Sequence, residues 1–188
     1  HLYRRRQRQM CIRDRYNPYP KENEINHAET HIKNIVSNFL PSVLNYLNVN
    51  FENTNQIVAG ASMGGLMSIK TSILFPQFRN IISLSPAFWF GYPRVLYDVK
   101  NLSNESSTYL YTGKKEGHIF GDHVKNIFSN DWDLDFSNND DFYYSGVKKI
   151  EDSLKSNNKT VIFSYQENGH HNETSWATAI LDILGKLI

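Results

Sequence analysis

The chain has 188 residues, 40% of them hydrophobic, and a formal net charge of +1 at pH 7. This length allows one domain with a substantial core, and no apolar run is long enough to span a membrane, so we expect a soluble globular protein without a membrane partner. Its one cysteine, Cys11, excludes a disulfide framework and leaves the body of the chain without thiols for cysteine catalysis or cysteine-ligated zinc.

Six arginines crowd the first 15 residues, against the single acidic residue Asp14. The rest of the chain therefore carries 14 basic and 18 acidic residues, out of 20 and 19 in the whole sequence. Residues 10–14, Met-Cys-Ile-Arg-Asp, resemble the translation of a sequencing-library adapter. We interpret residues 1–15 as a non-native segment and predict no nucleic-acid partner; the alternatives are a basic nucleic-acid-binding arm and a transit peptide.

The first predicted elements lead to a glycine-rich turn. Residues 24–47 place apolar side chains at helical spacing, which predicts one long helix or two short ones divided near Pro41. Residues 56–59 are typical of a short buried strand, and residues 66–75 of a mostly apolar helix. Between these two lies the pentapeptide Gly-Ala-Ser-Met-Gly, at residues 60–64.

Ser62 is the central residue of this Gly-x-Ser-x-Gly motif. A strand–turn–helix of this kind holds its serine on a sharp, strained turn, so we expect side chains at Gly60 and Gly64 to collide with the neighbouring strand and helix. The following helix would aim the backbone N–H of Met63 at a developing oxyanion. The motif predicts Ser62 as a nucleophile and Met63 as half of an oxyanion hole; the alternative is a glycine turn with an idle serine.

The rest of the chain alternates short strands with helices. We predict strands at residues 80–84, 107–112 and 160–165, helices at 122–128, 142–157 and 174–188, and a polar loop at 129–141. This alternation predicts right-handed crossovers and a mostly parallel sheet between helical layers, which is a three-layer α/β fold.

The part of the chain before the serine is short for such a fold. Hydrolases with this turn place several strands before the nucleophile, whereas only residues 16–61 precede it here. We expect residues 16–188 to be the C-terminal part of a single domain that lacks its first strands and the second oxyanion donor on them. The strand at residues 56–59 would then be an exposed edge, which favours aggregation.

A serine nucleophile needs a base and an acid, which in such hydrolases follow later strands in the order serine, acid, histidine. Glu116 lies in the loop after the strand at 107–112, and His170 and His171 lie in the loop after the strand at 160–165. A carboxylate there would fix the tautomer of the base and stabilise its protonated form. The alternative for Glu116 is a solvated loop charge beside two lysines.

Four segments, in this order, resemble the esterase family of α/β-hydrolases that includes enterochelin (siderophore), feruloyl and acetyl-xylan esterases. They are residues 60–66 (GASMGGL), 83–90 (SLSPAFWF), 111–117 (YTGKKEG) and 169–176 (GHHNETSW). The resemblance runs from about Tyr16 to the end of the chain. It implies an α/β-hydrolase fold with Ser62 as nucleophile, Glu116 as acid and His171 as base. His170 is the alternative base, and some siderophore esterases of this kind use serine and histidine alone.

Several other residues have a structural and a functional interpretation. Trp89 and Phe88 follow the second strand of the α/β alternation and either line the acyl or leaving-group pocket or pack in the core. We expect Glu173 and Trp176 to begin and anchor the last helix. The histidine pair at residues 27–31 lacks a third ligand, and the Asp-rich segment 131–142 lacks the glycine and glutamate of a calcium loop, so we predict no metal and no cofactor.

Together these residues predict a serine esterase that hydrolyses carboxylic esters through an acyl-enzyme, with a small-molecule or carbohydrate-linked ester as substrate. A peptidase, thioesterase or acyltransferase using the same triad is an alternative, because the triad does not determine the leaving group. An idle α/β-hydrolase-like module that binds carbohydrate or siderophore is another. We expect the protein in the cytoplasm rather than in the periplasm or outside the cell.

Overall fold

The structure is a computed structural model that describes residues 16–20, 25–50, 55–121, 124 and 132–187. The predicted non-native segment at residues 1–15 lies outside the described residues. So does the helix expected at residues 122–128, apart from residue 124.

The first helical region consists of three consecutive segments. Helix α1 is His27–Asn34, a π-helical segment follows at Ile35–Phe39, and helix α2 is Leu40–Tyr46. The irregular segment ends immediately before the first turn of α2, where Pro41 lies. Proline has no N–H to bond the carbonyl one turn earlier, so the helix changes its hydrogen-bonding pattern there instead of breaking.

All four described strands are parallel and lie side by side in chain order. They are β1 at Ile57–Ala61, β2 at Asn80–Leu84, β3 at Ser107–Gly113 and β4 at Thr160–Gln166. The strand predictions are confirmed, with shifts of one or two residues at the ends of three of them. In the described part of the sheet, β1 is an edge strand, as expected for the strand before the serine.

Four helices complete the described fold. They are α3 at Met63–Leu74, α4 at Arg94–Asp98, α5 at Asn139–Ser156 and α6 at Glu173–Leu187, with 3₁₀ turns at Phe88–Phe90, Val99–Asn101 and Gly117–Phe120. Helix α5 begins three residues before the predicted start, because the side chain of Asn138 accepts a hydrogen bond from the backbone of Asp141 and caps it. The loop expected to reach residue 141 therefore ends at Asn138.

Alternate side chains of the strands face opposite helical layers. On one face, Ile81 and Leu110 belong to a buried cluster with side chains of α3, α4 and α5. On the other face, Ile82 and Tyr111 pack with side chains of α6. The sheet therefore lies between two helical layers, and the predicted three-layer α/β fold is confirmed. None of the described helices is long and apolar enough to cross a membrane.

The parallel register brings four loops to one edge of the sheet. Ala61, Leu84 and Tyr111 are aligned in the ladder, and Gly113 is aligned with Gln166 at the end of β4. Because all strands run in the same direction, the loops that follow them leave from their shared carboxyl edge. The predicted nucleophile, acid and base all lie in these loops.

Candidate functional site

Ser62 lies in a strained turn between the last residue of β1 and the first residue of α3. Its backbone angles are φ 56° and ψ −122°, a region that non-glycine residues rarely adopt. Its amide donates to the carbonyl of Leu84 at 2.9 Å, and its carbonyl accepts from the amides of Gly65 and Ala87, each at 3.0 Å. These three bonds hold the strained backbone against β2 and α3, which is the turn that the motif predicts.

Two glycines make this turn possible, and one of them is not the one expected. A Cβ on Gly60 would lie 2.1 Å from the carbonyl oxygen of Gly64, so the predicted collision at Gly60 is confirmed. A Cβ on Gly64 would meet nothing within 4 Å, so the predicted collision at Gly64 is wrong. The tight position is Gly65, where a Cβ would lie 3.0 Å from the Cα of Pro86. Gly65 faces the end of β2, whereas Gly64 faces away from it.

His171 connects Ser62 to Glu116. Its Nε2 lies 3.0 Å from the hydroxyl oxygen of Ser62, and its Nδ1 lies 2.9 Å from Oε2 of Glu116. A carboxylate only accepts hydrogen bonds, so Nδ1 carries the proton and Nε2 is free to accept from the serine hydroxyl. An imidazole held in this way can take the proton of the hydroxyl while the carboxylate stabilises the resulting cation.

Glu116 is fully buried, so it is not a solvated loop charge. Besides His171, its carboxylate accepts hydrogen bonds from the Ser85 hydroxyl at 2.6 Å and from the Gly113 amide at 2.5 Å, both on Oε1. A buried carboxylate is costly unless it is paired and hydrogen-bonded, and here both of its oxygens are.

The loops that carry the acid and the base are bonded to each other. The amide of Lys114 donates to the carbonyl of Gln166 at 3.0 Å, and the amide of Lys115 donates to the carbonyl of Gly169 at 2.9 Å. A Cβ on Gly113 would lie 2.2 Å from the carbonyl oxygen of Gly169, so the two backbones touch. This contact fixes the separation between Glu116 and the histidine loop.

His170 lies beside His171 but away from the nucleophile. Its residue is exposed, and its ring lies 5.7 Å from the ring of His118, centroid to centroid. Its amide donates to the hydroxyl of Ser175, which holds the loop against the start of α6. The structure therefore brings His171, and not His170, to Ser62.

The two aromatic residues expected near the pocket occupy different environments. Phe88 is fully buried, and its ring packs against Phe142 at 5.1 Å, so it belongs to the core. Trp89 is half-buried, and its ring lies 5.3 Å from the ring of Tyr143, which in turn lies 5.3 Å from the ring of His171. Trp89 is therefore the more exposed member of the pair, and the ring of Tyr143 lies between it and His171.

Sequence reasoning did not place Ser85, Tyr143 or Trp176 beside the residues predicted for catalysis. It gave Trp176 only the role of anchoring the last helix, whereas its indole lies 3.0 Å from the Ser85 hydroxyl. Burial, and then the negative charge of Glu116, raises the pKa of Tyr143 well above its ordinary value, so this phenol stays protonated. Ser85 follows β2 at the same sheet edge as the other site residues, and that position was a usable signal. Tyr143 lies on a helix face with nothing in its spacing to indicate the site.

Within the described ranges, no group of three or more histidine, cysteine, aspartate or glutamate residues is arranged to hold a metal ion. Helix α1 carries the predicted histidine pair, of which His31 packs against Tyr16.

No protein-family model and no curated protein sequence matches the chain. Several solved structures are similar to it. The enterobactin esterase FES from Shigella flexneri superposes with a TM-score of 0.60 at 15% identity, over 88% of this chain and 42% of that protein. The siderophore hydrolase EstA from Aspergillus nidulans gives 0.63 at 15% identity, over 91% and 65%. A ferulic acid esterase gives 0.60 at 12% identity, over 82% and 58%.

At these identities the likeness establishes the fold. The chain has the α/β-hydrolase type of fold that these esterases have, as the sequence resemblance implies. It spans between 42% and 65% of the length of these three proteins.

Proposed function

We propose that the chain is a serine esterase that hydrolyses carboxylic esters through an acyl-enzyme, with Ser62, His171 and Glu116 as its triad. The observation that carries this proposal is the double contact of His171, 3.0 Å from the Ser62 hydroxyl and 2.9 Å from the Glu116 carboxylate. The likeness to solved esterases supports it at the level of the fold.

In the first half of the reaction, His171 Nε2 takes the hydroxyl proton as Ser62 Oγ attacks the ester carbonyl carbon. The carbonyl oxygen becomes an oxyanion, and the Met63 amide donates to it. Met63 is the first residue of α3, so its N–H has no acceptor within the helix. The tetrahedral intermediate collapses, the alcohol leaves with the proton from His171, and an acyl-serine remains.

In the second half, a water molecule replaces the alcohol. His171 Nε2 removes one proton from the water, and the resulting hydroxide attacks the carbonyl carbon of the acyl-serine. Collapse of the second intermediate releases the carboxylic acid, and the proton on His171 returns to Ser62 Oγ. The Glu116 carboxylate accepts from His171 Nδ1 and stabilises the protonated imidazole in both halves.

The substrate in this proposal is a small-molecule or carbohydrate-linked ester. Trp89 supports it, because a half-buried indole that packs on Tyr143, which in turn packs on His171, offers apolar surface for an acyl or leaving group. Phe88 is too deeply buried for that role. The named activities of the similar structures, on enterobactin, other siderophores and ferulic acid esters, suggest the first substrates to assay.

The same triad would serve a peptidase, a thioesterase or an acyltransferase. A catalytically idle module is disfavoured by the site itself. A strained serine and a buried carboxylate both cost stability, and a module that only binds has no use for their alignment on one imidazole.

The decisive variant is Ser62→Ala. We expect hydrolysis of p-nitrophenyl acetate to fall by at least about a thousandfold, because loss of a serine nucleophile removes the covalent route. The matched control is Ser153→Ala. Ser153 lies on α5 away from the triad, and its hydroxyl donates to the carbonyl of Leu96 at 2.6 Å. Equal turnover by Ser62→Ala and the unmodified chain would overturn the proposal.

A further inference from the structure

Ser85 adopts a backbone conformation that serine rarely takes. It follows the last residue of β2, it is fully buried, and its φ is 42°. Its amide donates to the carbonyl of Tyr111 at 2.7 Å, which holds the strained residue against β3. A buried, strained serine beside a triad needs a reason to persist.

The direction of the Ser85 hydroxyl is fixed by its two neighbours. Trp176 Nε1 lies 3.0 Å from Ser85 Oγ, and an indole nitrogen only donates. Ser85 Oγ must therefore accept from Trp176, and its single proton is left for Glu116 Oε1, 2.6 Å away. The hydroxyl cannot turn elsewhere without losing one of these bonds.

The aromatic residues that hold Ser85 also touch the base. The Tyr143 hydroxyl donates to the Ser85 carbonyl at 2.6 Å, and its ring lies 5.3 Å from that of His171. The ring of Trp176 meets His171 edge-on at 4.9 Å. Ser85 is thus clamped from two sides by side chains that also confine the imidazole.

The two oxygens of Glu116 have separate partners. Oε2 faces His171, whereas Oε1 accepts from the Ser85 hydroxyl and the Gly113 amide. Among these partners Ser85 is the one side chain whose removal would weaken the hold on Oε1 without touching the imidazole, since the other donor to Oε1 is the backbone amide of Gly113. With Oε1 held, the carboxylate cannot rotate Oε2 away from Nδ1.

We propose that Ser85 is a positioning residue that holds Glu116 for His171, with Trp176 fixing the direction of its hydroxyl and Tyr143 fixing its backbone. The inference rests on the proposed function. It extends the chain of contacts from the three triad residues to a serine that does not touch the Ser62 hydroxyl or the imidazole, and to two aromatic residues that pack against the imidazole.

The test is Ser85→Ala, assayed with p-nitrophenyl acetate. We expect kcat to fall about tenfold to a hundredfold, the range for losing a hydrogen bond to a charged group, while KM changes less than about twofold. The rate of covalent labelling by a fluorophosphonate should fall by the same factor. Ser72→Ala is the matched control: Ser72 is also a buried serine, and it donates to the Phe78 carbonyl at 2.8 Å, away from the triad.

A double variant separates positioning from general damage. If Ser85 acts through Glu116, then adding Ser85→Ala to Glu116→Gln should lower kcat by less than about twofold, since the acid is already lost. Full additivity of the two effects would overturn the inference.

A second single variant serves if Ser85→Ala does not fold. Trp176→Phe keeps a ring beside His171 and removes only the donor to Ser85, so we expect kcat to fall about threefold to tenfold. If the unmodified chain hydrolyses ester and the variants that fold have the same kcat, the inference is overturned. If the unmodified chain neither hydrolyses ester nor takes up the fluorophosphonate, the proposed function fails, and this inference fails with it.

Discussion

Two serines with positive φ stand at successive strand ends: Ser62 belongs to the proposed triad, and Ser85 donates to its acid, Glu116. Among the described residues other than glycine, φ is positive at Asn48, Ser62, Ser85 and Asn158. Asparagine tolerates this conformation, whereas serine does so at a cost on the order of 1–3 kcal/mol. The strain of both serines is therefore concentrated at the proposed site, where backbone hydrogen bonds hold each of them in place.

Replacing Glu116 by glutamine tests the acid. We expect Glu116→Gln to lower kcat by about 10² to 10⁴-fold, because a neutral amide does not stabilise the protonated imidazole and can favour the wrong tautomer. The control is Glu167→Gln on the histidine loop, where Glu167 pairs with Lys114 at the surface. The kcat of both variants is measured by steady-state ester hydrolysis. A rate unchanged in Glu116→Gln would mean that Ser62 and His171 work without a carboxylate.

The order of strands and motifs predicted that Ser62 and Glu116 meet one of two adjacent histidines, and the family resemblance selected His171, with His170 as the alternative. Each of Ser62, Glu116 and His171 follows a strand of one parallel sheet, so the topology alone brings them to one edge. The residues behind them were not predictable in this way. The contact between Ser85 and Tyr143 joins positions 58 residues apart and depends on how α5 packs, which no local pattern encodes.

At the scale of elements, the site depends on the junction between β3 and β4. The loops after these strands share two backbone hydrogen bonds and a contact between Gly113 and Gly169. Because Glu116 follows one of these glycines and His171 follows the other, a change of spacing here moves the acid relative to the base.

Gly113→Ala tests this junction. A Cβ there would lie 2.2 Å from the Gly169 carbonyl oxygen, so the loops must separate. We expect a loss of roughly 1–3 kcal/mol in the free energy of unfolding, measured by urea denaturation, together with a lower kcat. Gly185→Ala is the control on α6, where a Cβ meets nothing within 4 Å; it should be neutral or stabilise the helix by up to about 1 kcal/mol. Equal stability of the two variants would show that the junction is not tight.

Periodicity predicted the strands well and the helix boundaries less well. The strands read clearly because each is a short segment with aliphatic, β-branched or aromatic residues between turn residues. The start of α5 depends on the cap supplied by Asn138, and α4 at Arg94–Asp98 is too short for a helical period to be visible. The π-helical segment at Ile35–Phe39 reflects the proline that follows it.

For the molecule as a whole, the described sheet has an open edge at β1, where Ile57 is 37% exposed. Such an edge favours pairing with another chain.

Stability should depend on pH through a buried phenol. Burial, and then the charge of Glu116, raises the pKa of Tyr111 to about 12 from its ordinary value of 10.0. The folded state thus favours the neutral phenol. Its contribution is fully present below pH 10, where the phenol is protonated in both states, and is lost as pH rises through about 12.

We therefore expect the free energy of unfolding to fall between pH 10 and about 12, and to fall less steeply in Tyr111→Phe. Urea denaturation at several pH values measures both slopes. Some slope should remain in the variant, because burial also raises the pKa of Tyr143. Identical slopes for the two proteins would contradict the assignment to Tyr111.

The most direct measurement is the site of covalent labelling by a fluorophosphonate, which reacts with activated serines. The native chain is treated with the probe, digested and analysed by mass spectrometry, beside a sample unfolded before treatment. We expect one adduct, on Ser62, in the native sample and none in the unfolded one, because activation requires His171 at 3.0 Å from the hydroxyl. No adduct in the native chain, or an adduct on another serine with Ser62 unmodified, would contradict the assignment of the triad.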